Sequence, residues 1–205
     1  VLRGKRYALL YRLCAMIEMR PKEGIKMVTD WISREVCRLE RKYNEPDPLA
    51  LCEQMGILVL FQPMGTYAGA CKGFFLSQSR MRSITINSDL PEPLQRVIAV
   101  HELGHAVLHR KEAGVSAFHD FALFDRTSAK EYEANVFAAE LLLDDREVME
   151  RLREDRSFFG AAQSLRVPPE LLDFKLRILK RKGYDVIDPP LAATGSFLKD
   201  VEMGE

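Results

Sequence analysis

The chain has 205 residues, and its 30 Lys plus Arg balance 30 Asp plus Glu, so the formal net charge is zero. Apolar residues make up 47% and charged residues 29%. This is ordinary globular usage that excludes wholesale disorder, and the lack of a basic excess argues against a protein that coats nucleic acid. No apolar run approaches the roughly 18 to 20 residues of a membrane-spanning helix, so a soluble protein is expected. Cys14, Cys37, Cys52 and Cys71 form no CxxC pair. A thiolate zinc site is therefore not indicated, and free thiols in a reducing cytoplasm are expected.

Residues 1–26 carry seven Lys or Arg against two acids and mix charge into their apolar positions, unlike a signal-peptide core. They are expected to form a basic N-terminal extension. From Thr29 to Tyr43, the spacing of Trp31, Ile32, Val36 and Leu39 predicts a helix. Pro48 opens a second, short one that ends at Gly56. Three short β-rich runs follow, at 57–61, 68–78 and 82–87. Their connections are too short for crossover helices, so an antiparallel sheet is expected.

The remainder reads as helical. One helix starts near Asp89-Leu-Pro-Glu-Pro and continues to Arg110; the next is SAKEYEANVFAAELLL, followed by segments at about 145–153, 157–165 and 168–182. The order of helices, a small sheet and more helices makes this an α+β chain. The expected divisions are 27–150 for the main domain, 151–185 for a C-terminal helical segment and 186–205 for a loose tail.

His101-Glu-Leu-Gly-His105 is the most informative pentapeptide. On a helix, positions i and i+4 share one face, so two imidazoles can reach one Zn²⁺. Glu102 then lies beside the metal, where it can take a proton from an attacking water. The competing reading is a surface helix that happens to carry two histidines. Ile98, Val100, Leu103 and Val107 surround the motif, however, and half-buried polar groups without a partner would be costly there. Gly104 leaves a bare patch on which another element can pack. His109 lies about 12 Å along the axis from His101 at 1.5 Å per residue, too far to share its metal.

The third ligand must come from elsewhere, and the helix at 129–143 offers Glu131, Glu133 and Glu140. At 100° per residue, Glu131 and Asn135 lie about 40° apart, on a stripe with Ala134, Ala138, Leu141 and Leu142. Glu133 and Glu140 fall roughly opposite, on the expected solvent face. Glu131 is thus the expected ligand, with Glu133 the fallback and His119 a lesser candidate. Asn135 is placed to support a histidine or the backbone. The strand GFFL at 73–76 is a candidate edge for an extended peptide, while Tyr132 and His119 are candidates for oxyanion stabilisation.

With HELGH at 101–105 and EYEANVFAAELLL at 131–143, the chain resembles the ImmA/IrrE-family metallopeptidases over roughly residues 27–182. The resemblance implies a gluzincin-like zinc fold: a small sheet packed with a zincin-type active-site helix, then a helical part of helix-turn-helix-like outline. It assigns Zn²⁺ to His101, His105 and Glu131, and the general base to Glu102. It also implies a cytoplasmic endopeptidase, bacterial or phage-borne, that cleaves a helix-turn-helix repressor of a mobile element or stress regulon. LLLDDRE at 141–147 departs from the LLMP common in the family, a change that touches helix termination rather than chemistry.

The alternative is a non-proteolytic zinc-containing regulator that binds DNA or a partner repressor or toxin. It draws on the stretch FFGAAQSLRVPPELLDFKLRILKRKGY and its basic residues Lys175, Arg177, Lys180, Arg181 and Lys182. The same basic helix could instead be the surface on which a repressor docks.

Overall fold

A computed structural model describes residues 30–67, 69–78, 81–109, 127–155, 157–193 and 198. The basic N-terminal extension and His119 lie outside the described residues. The chain runs α1 (Asp30–Tyr43), α2 (Pro48–Gln54), β1 (Leu58–Gln62), β2 (Gly73–Gln78), β3 (Met81–Asn87), α3 (Glu92–Leu108), α4 (Thr127–Leu142), α5 (Asp145–Asp155), α6 (Phe158–Leu165) and α7 (Pro169–Arg181). This is an α+β fold. Among the described residues, no helix is long and apolar enough to cross a membrane.

Local chemistry sets the element boundaries. Asp47 caps α2 by accepting from the Ala50 amide, with Pro48 in the first turn. Ser157 caps α6 through the Gly160 amide. Asp144, inside the LLLDDRE departure, accepts from the amides of Arg146 and Glu147, both at 3.0 Å, and so starts α5 where a proline would otherwise stop the preceding helix.

The sheet corrects the antiparallel expectation. Its strand order is β1-β3-β2; β2 pairs antiparallel with β3, whereas β1 pairs parallel with it, Leu58 opposite Ser83 through Gln62 opposite Asn87. The return path needed for parallel pairing is β2 itself, which runs back along the far edge before β3 enters the middle. No crossover helix is required, so short connections do not exclude a parallel pair. Ile84 and Ile86 are fully buried. A Cβ on Gly73 would stand 2.5 Å from the Ile98 side chain, so that glycine lets α3 lie directly on β2.

Asn87 locks the end of the sheet. Its fully buried side chain accepts from the amides of Met64 and Asp89 and donates to the carbonyls of Gly65 and Cys71. Every polar atom of the amide is used, which a buried amide requires. Cys52 is buried and its thiol is pushed up to about 12 by burial first, which makes it inert. Cys37, Cys52 and Cys71 form no disulfide.

The C-terminal helices share the main core: Leu171, Leu172, Phe174, Leu176, Ile178 and Leu179 join the cluster that holds Ile32, Ile84 and Phe137. The basic residues of α7 and the adjoining Lys182 are engaged in ion pairs and hydrogen bonds, some buried and some at the surface, which corrects their reading as a free basic face. Lys175 is only 1% exposed and meets Glu140 at 2.8 Å and Asp145 at 2.6 Å. Lys182 meets the same two acids at 3.0 and 2.9 Å, and Ser33 donates to Glu140 at 2.7 Å. Arg177 pairs with the buried Asp173, and Lys180 with Asp188. The segment 186–193, expected to be loose, is held where Ala193 bonds Asp173 and Arg177.

Glu140 also corrects the helical phase. The side chains of Ala134, Val136, Phe137, Ala138 and Ala139 are all buried, so this part of α4 has no solvent face to offer. Burial would push the Glu140 carboxyl up, but the charges of Lys175 and Lys182 outweigh it and hold it at about 2. A carboxyl depressed in the folded state stabilises fully above its ordinary pKa near 4.5 and loses that contribution as pH falls toward about 2. Lys175→Met, which strips a buried pair of one partner, should cost about 3–5 kcal/mol in urea unfolding. The variant should also have a flatter stability profile between pH 4.5 and pH 2 than the parent.

Candidate metal centre

Helices α3 and α4 build the site between them. Ala106 and Leu103 anchor α3 in the core, and His101 is buried beside them. Gly104 is the close-approach point: a Cβ there would stand 3.2 Å from the Ala134 Cα and 3.2 Å from the Phe137 ring. The bare patch expected from the sequence is therefore filled by the backbone of the helix that carries Glu131.

The approach brings three donors together. His101 Nε2 lies 3.1 Å from His105 Nε2. Glu131 faces both rings, with Oε2 at 3.2 Å from His101 Nε2 and Oε1 at 3.3 Å from His105 Nε2. Among the described residues, this is the cluster of three His, Cys, Asp or Glu side chains able to hold a metal ion. One donor atom from each residue lies within 4.8 Å of the others, and a tetrahedral ion with bonds of about 2.0–2.1 Å needs edges of about 3.3 Å, so a small adjustment of the carboxylate would bring all three onto one ion. The donors also match the two-histidine, one-carboxylate set of catalytic zinc sites, which leave a fourth position open. Burial would raise the Glu131 carboxyl, but hydrogen bonds from His101 and His105 outweigh it and hold the group well below the usual carboxylate range. Glu131 thus faces the Nε2 atoms of both imidazoles.

Around the donors, Asn135 is fully buried, and its Oδ1 lies 2.8 Å from His101 Nδ1. Of the two partners open to Asn135 in the sequence, a histidine or the backbone, the histidine is found. Glu102 is half-buried on α3, next to His101 in the chain. Glu133 stands apart from the three donors, 3.7 Å from His109 Nε2. His109 in turn packs its ring 5.4 Å from that of His105. This His109–Glu133 pair was missed in the sequence, where only the i+4 spacing of His109 hinted at it. The Tyr132 hydroxyl accepts from Arg181 at 3.2 Å and its ring packs on Phe174. GFFL lies on β2, an edge strand.

Because the obstruction at Gly104 is largely backbone, its replacement should reverse the usual helix preference. Gly→Ala in a helix interior ordinarily stabilises by about 1 kcal/mol; overpacking typically costs about 1–3 kcal/mol. Gly104→Ala should therefore lower the thermal midpoint of the metal-free protein rather than raise it.

Comparison with known proteins agrees with this geometry. The Peptidase M78 family model, described as an IrrE N-terminal-like domain, matches residues 52–177, a span that contains both halves of the donor set. An uncharacterized immunity region protein 2 of Bacillus phage phi105 is 33% identical over 144 residues, which are 70% of this chain and 88% of that protein. With a family model that spans the two-histidine, one-glutamate cluster and a relative 33% identical over 70% of the chain, the chain belongs to the Peptidase M78 family of IrrE N-terminal-like domains, a zinc peptidase family.

Proposed function

We propose that the chain is a zinc-dependent endopeptidase that cleaves one specific protein, a helix-turn-helix transcriptional repressor, in the cytoplasm. The observation that carries the catalytic half is the convergence of His101, His105 and Glu131 within one ion's reach. These three residues would hold the zinc. When bound, zinc supplies Lewis acidity, which acidifies a water and polarises a peptide carbonyl. Glu102 is the general base: its carboxylate accepts a proton as the water oxygen bonds to the carbonyl carbon. It then returns that proton to the amine nitrogen as the carbon–nitrogen bond breaks. The substrate lies extended along β2, an edge strand of the sheet among the described residues, where main-chain hydrogen bonds could take up an added strand.

The choice of substrate rests on family membership and on the immunity-region name of the phage relative. A regulatory protein encoded in such a region is a fitting partner for a peptidase that must not digest its own cell. The non-proteolytic DNA-binding reading finds less support, because Lys175, Arg177, Lys180 and Lys182 are all ion-paired within the fold.

Two experiments test the reading. In metal analysis of purified protein, Glu131→Ala should lose most of its zinc while Glu133→Ala keeps about one ion per chain; equal zinc in both would remove Glu131 from the donor set. Glu102→Gln should keep its zinc and fold but abolish cleavage of a repressor encoded beside it, since an amide cannot accept the water's proton. Undiminished cleavage by that variant would take Glu102 out of the mechanism, and no cleavage by the zinc-loaded parent would favour the non-proteolytic regulator.

A further inference from the structure

The three strands sort their side chains between two faces. Gly73 lies against Ile98 of α3, and Val59 and Phe75 pack on the main core together with the fully buried Ile84 and Ile86. Successive strand residues point to opposite faces, so their neighbours belong to the face turned away from α3. The register sets these in two rows: Leu60, Thr85 and Phe74 in one, and Leu58, Ser83 and Leu76 in the next. Each row has an apolar side chain on either edge strand and a small hydroxyl residue on the central strand. Leu58 is 50% exposed, while Phe74 and Leu76 are half-buried. Among the described residues, Leu60, Phe74 and Leu76 are not packed against the main core.

We propose that Phe74 and Leu76 make the peptidase specific for an extended segment that carries apolar side chains at two positions, two residues apart. The proposal rests on the reading that the substrate adds as a strand along β2. An added strand continues both rows outward: one of its side chains falls beside Phe74, and another, two residues along, beside Leu76. Side chains directly opposite on neighbouring strands lie about 4.5–5.5 Å apart, where apolar and aromatic pairs favour one another. A charged side chain there would lose water against an apolar neighbour without gaining a partner. The residue between the two points to the α3 side of the sheet, the side of His101 and His105.

The same rows select the conformation of the substrate. Residues i and i+2 share a face in an extended chain, whereas in a helix they stand about 200° apart. The segment that is cut therefore comes from a linker or a strand, not from within a helix of a helix-turn-helix domain.

The test profiles a library of short unstructured peptides in two ways: cleavage by the zinc-loaded parent, and retention by zinc-loaded Glu102→Gln. Preferred peptides should carry Leu, Ile, Val or Phe at two positions, two residues apart. Leu76→Lys should turn the preference at one of these positions from apolar to acidic, a swing of about 2- to 5-fold, and Phe74→Lys should do so at the other. Leu58→Lys is the control: it shares a row with Leu76 but lies about 14 Å from an added strand, at about 4.8 Å per strand, and should keep the parental profile. Circular dichroism checks each fold, and Leu76→Thr, which should lose the apolar preference at its position, replaces a lysine variant that does not fold.

A parental profile without the spaced apolar pair overturns the proposal, as does an unchanged profile in Leu76→Lys. A change in Leu58→Lys as large as that in Leu76→Lys also overturns it, because the face then acts as a whole, as an interface between two copies would. Failure of the peptidase reading is a separate outcome. If the parent cuts no peptide while Glu102→Gln retains those with the spaced pair, hydrolysis is lost and the specificity surface stands. If Glu102→Gln retains none and the parent cuts none, strand addition along β2 fails and the proposal with it.

Discussion

The packing of α3 against α4 at one glycine is the constraint on which the rest of the molecule depends. His101 and His105 belong to one helix and Glu131 to another, and neither helix can assemble the donor set alone. Two helices with ordinary side chains at the contact lie about 8–10 Å apart. Gly104 removes one layer of atoms, so the Ala134 backbone comes within van der Waals range of α3 and the short reach of a glutamate suffices. The other side of α3 repeats the device, since Gly73 lets Ile98 settle on β2. The helix of the histidines is thus held between two surfaces that each lack a side chain at the contact point.

The remaining elements keep α4 in register. An error of one residue, about 100° of rotation, would carry Glu131 and Asn135 away from the histidines together. The opposing side of α4 prevents this through Glu140, which Ser33 of α1 and Lys175 and Lys182 of α7 hold from different directions. Hydrophobic contacts around Phe137 supply most of the attraction but tolerate small rotations. Buried charge pairs have strict geometric demands, so they index the helix as well as hold it. The C-terminal helices therefore belong to the architecture of the site although none of them contributes a donor.

The candidate donor cluster was legible in the sequence because its spacing is local. HELGH puts two histidines on one face, and the stripe through Ala134 and Ala138 put Glu131 on the side of α4 where the structure brings it to them. Glu140 was misplaced by the same reasoning, because α4 is surrounded and a helix buried on every side has no phase that points outward. Lys175 and Lys182 looked like a docking or DNA-reading surface because their acidic partners, Glu140 and Asp145, lie 30 to 42 positions away in the chain. No local pattern announces such a pairing. The strand order stayed hidden for a related reason: a turn's length limits which strands pair directly but says nothing about a third strand inserted between them.

The sharing of Glu140 and Asp145 by Lys175 and Lys182 has a consequence for how the chain comes apart. None of the elements after α4 supplies a donor to the three-residue cluster, so they could be thought dispensable to the site. Removal of α7, however, would strand two carboxylates in an apolar surround and uncover the flank of the helix that carries Glu131. The fragment that remained would have to protonate those acids or admit water beside Phe137, and either change loosens the register of α4. The helices after α4 are therefore part of what holds the candidate metal site in register, and the chain cannot be shortened to its donor helices without disturbing Glu131.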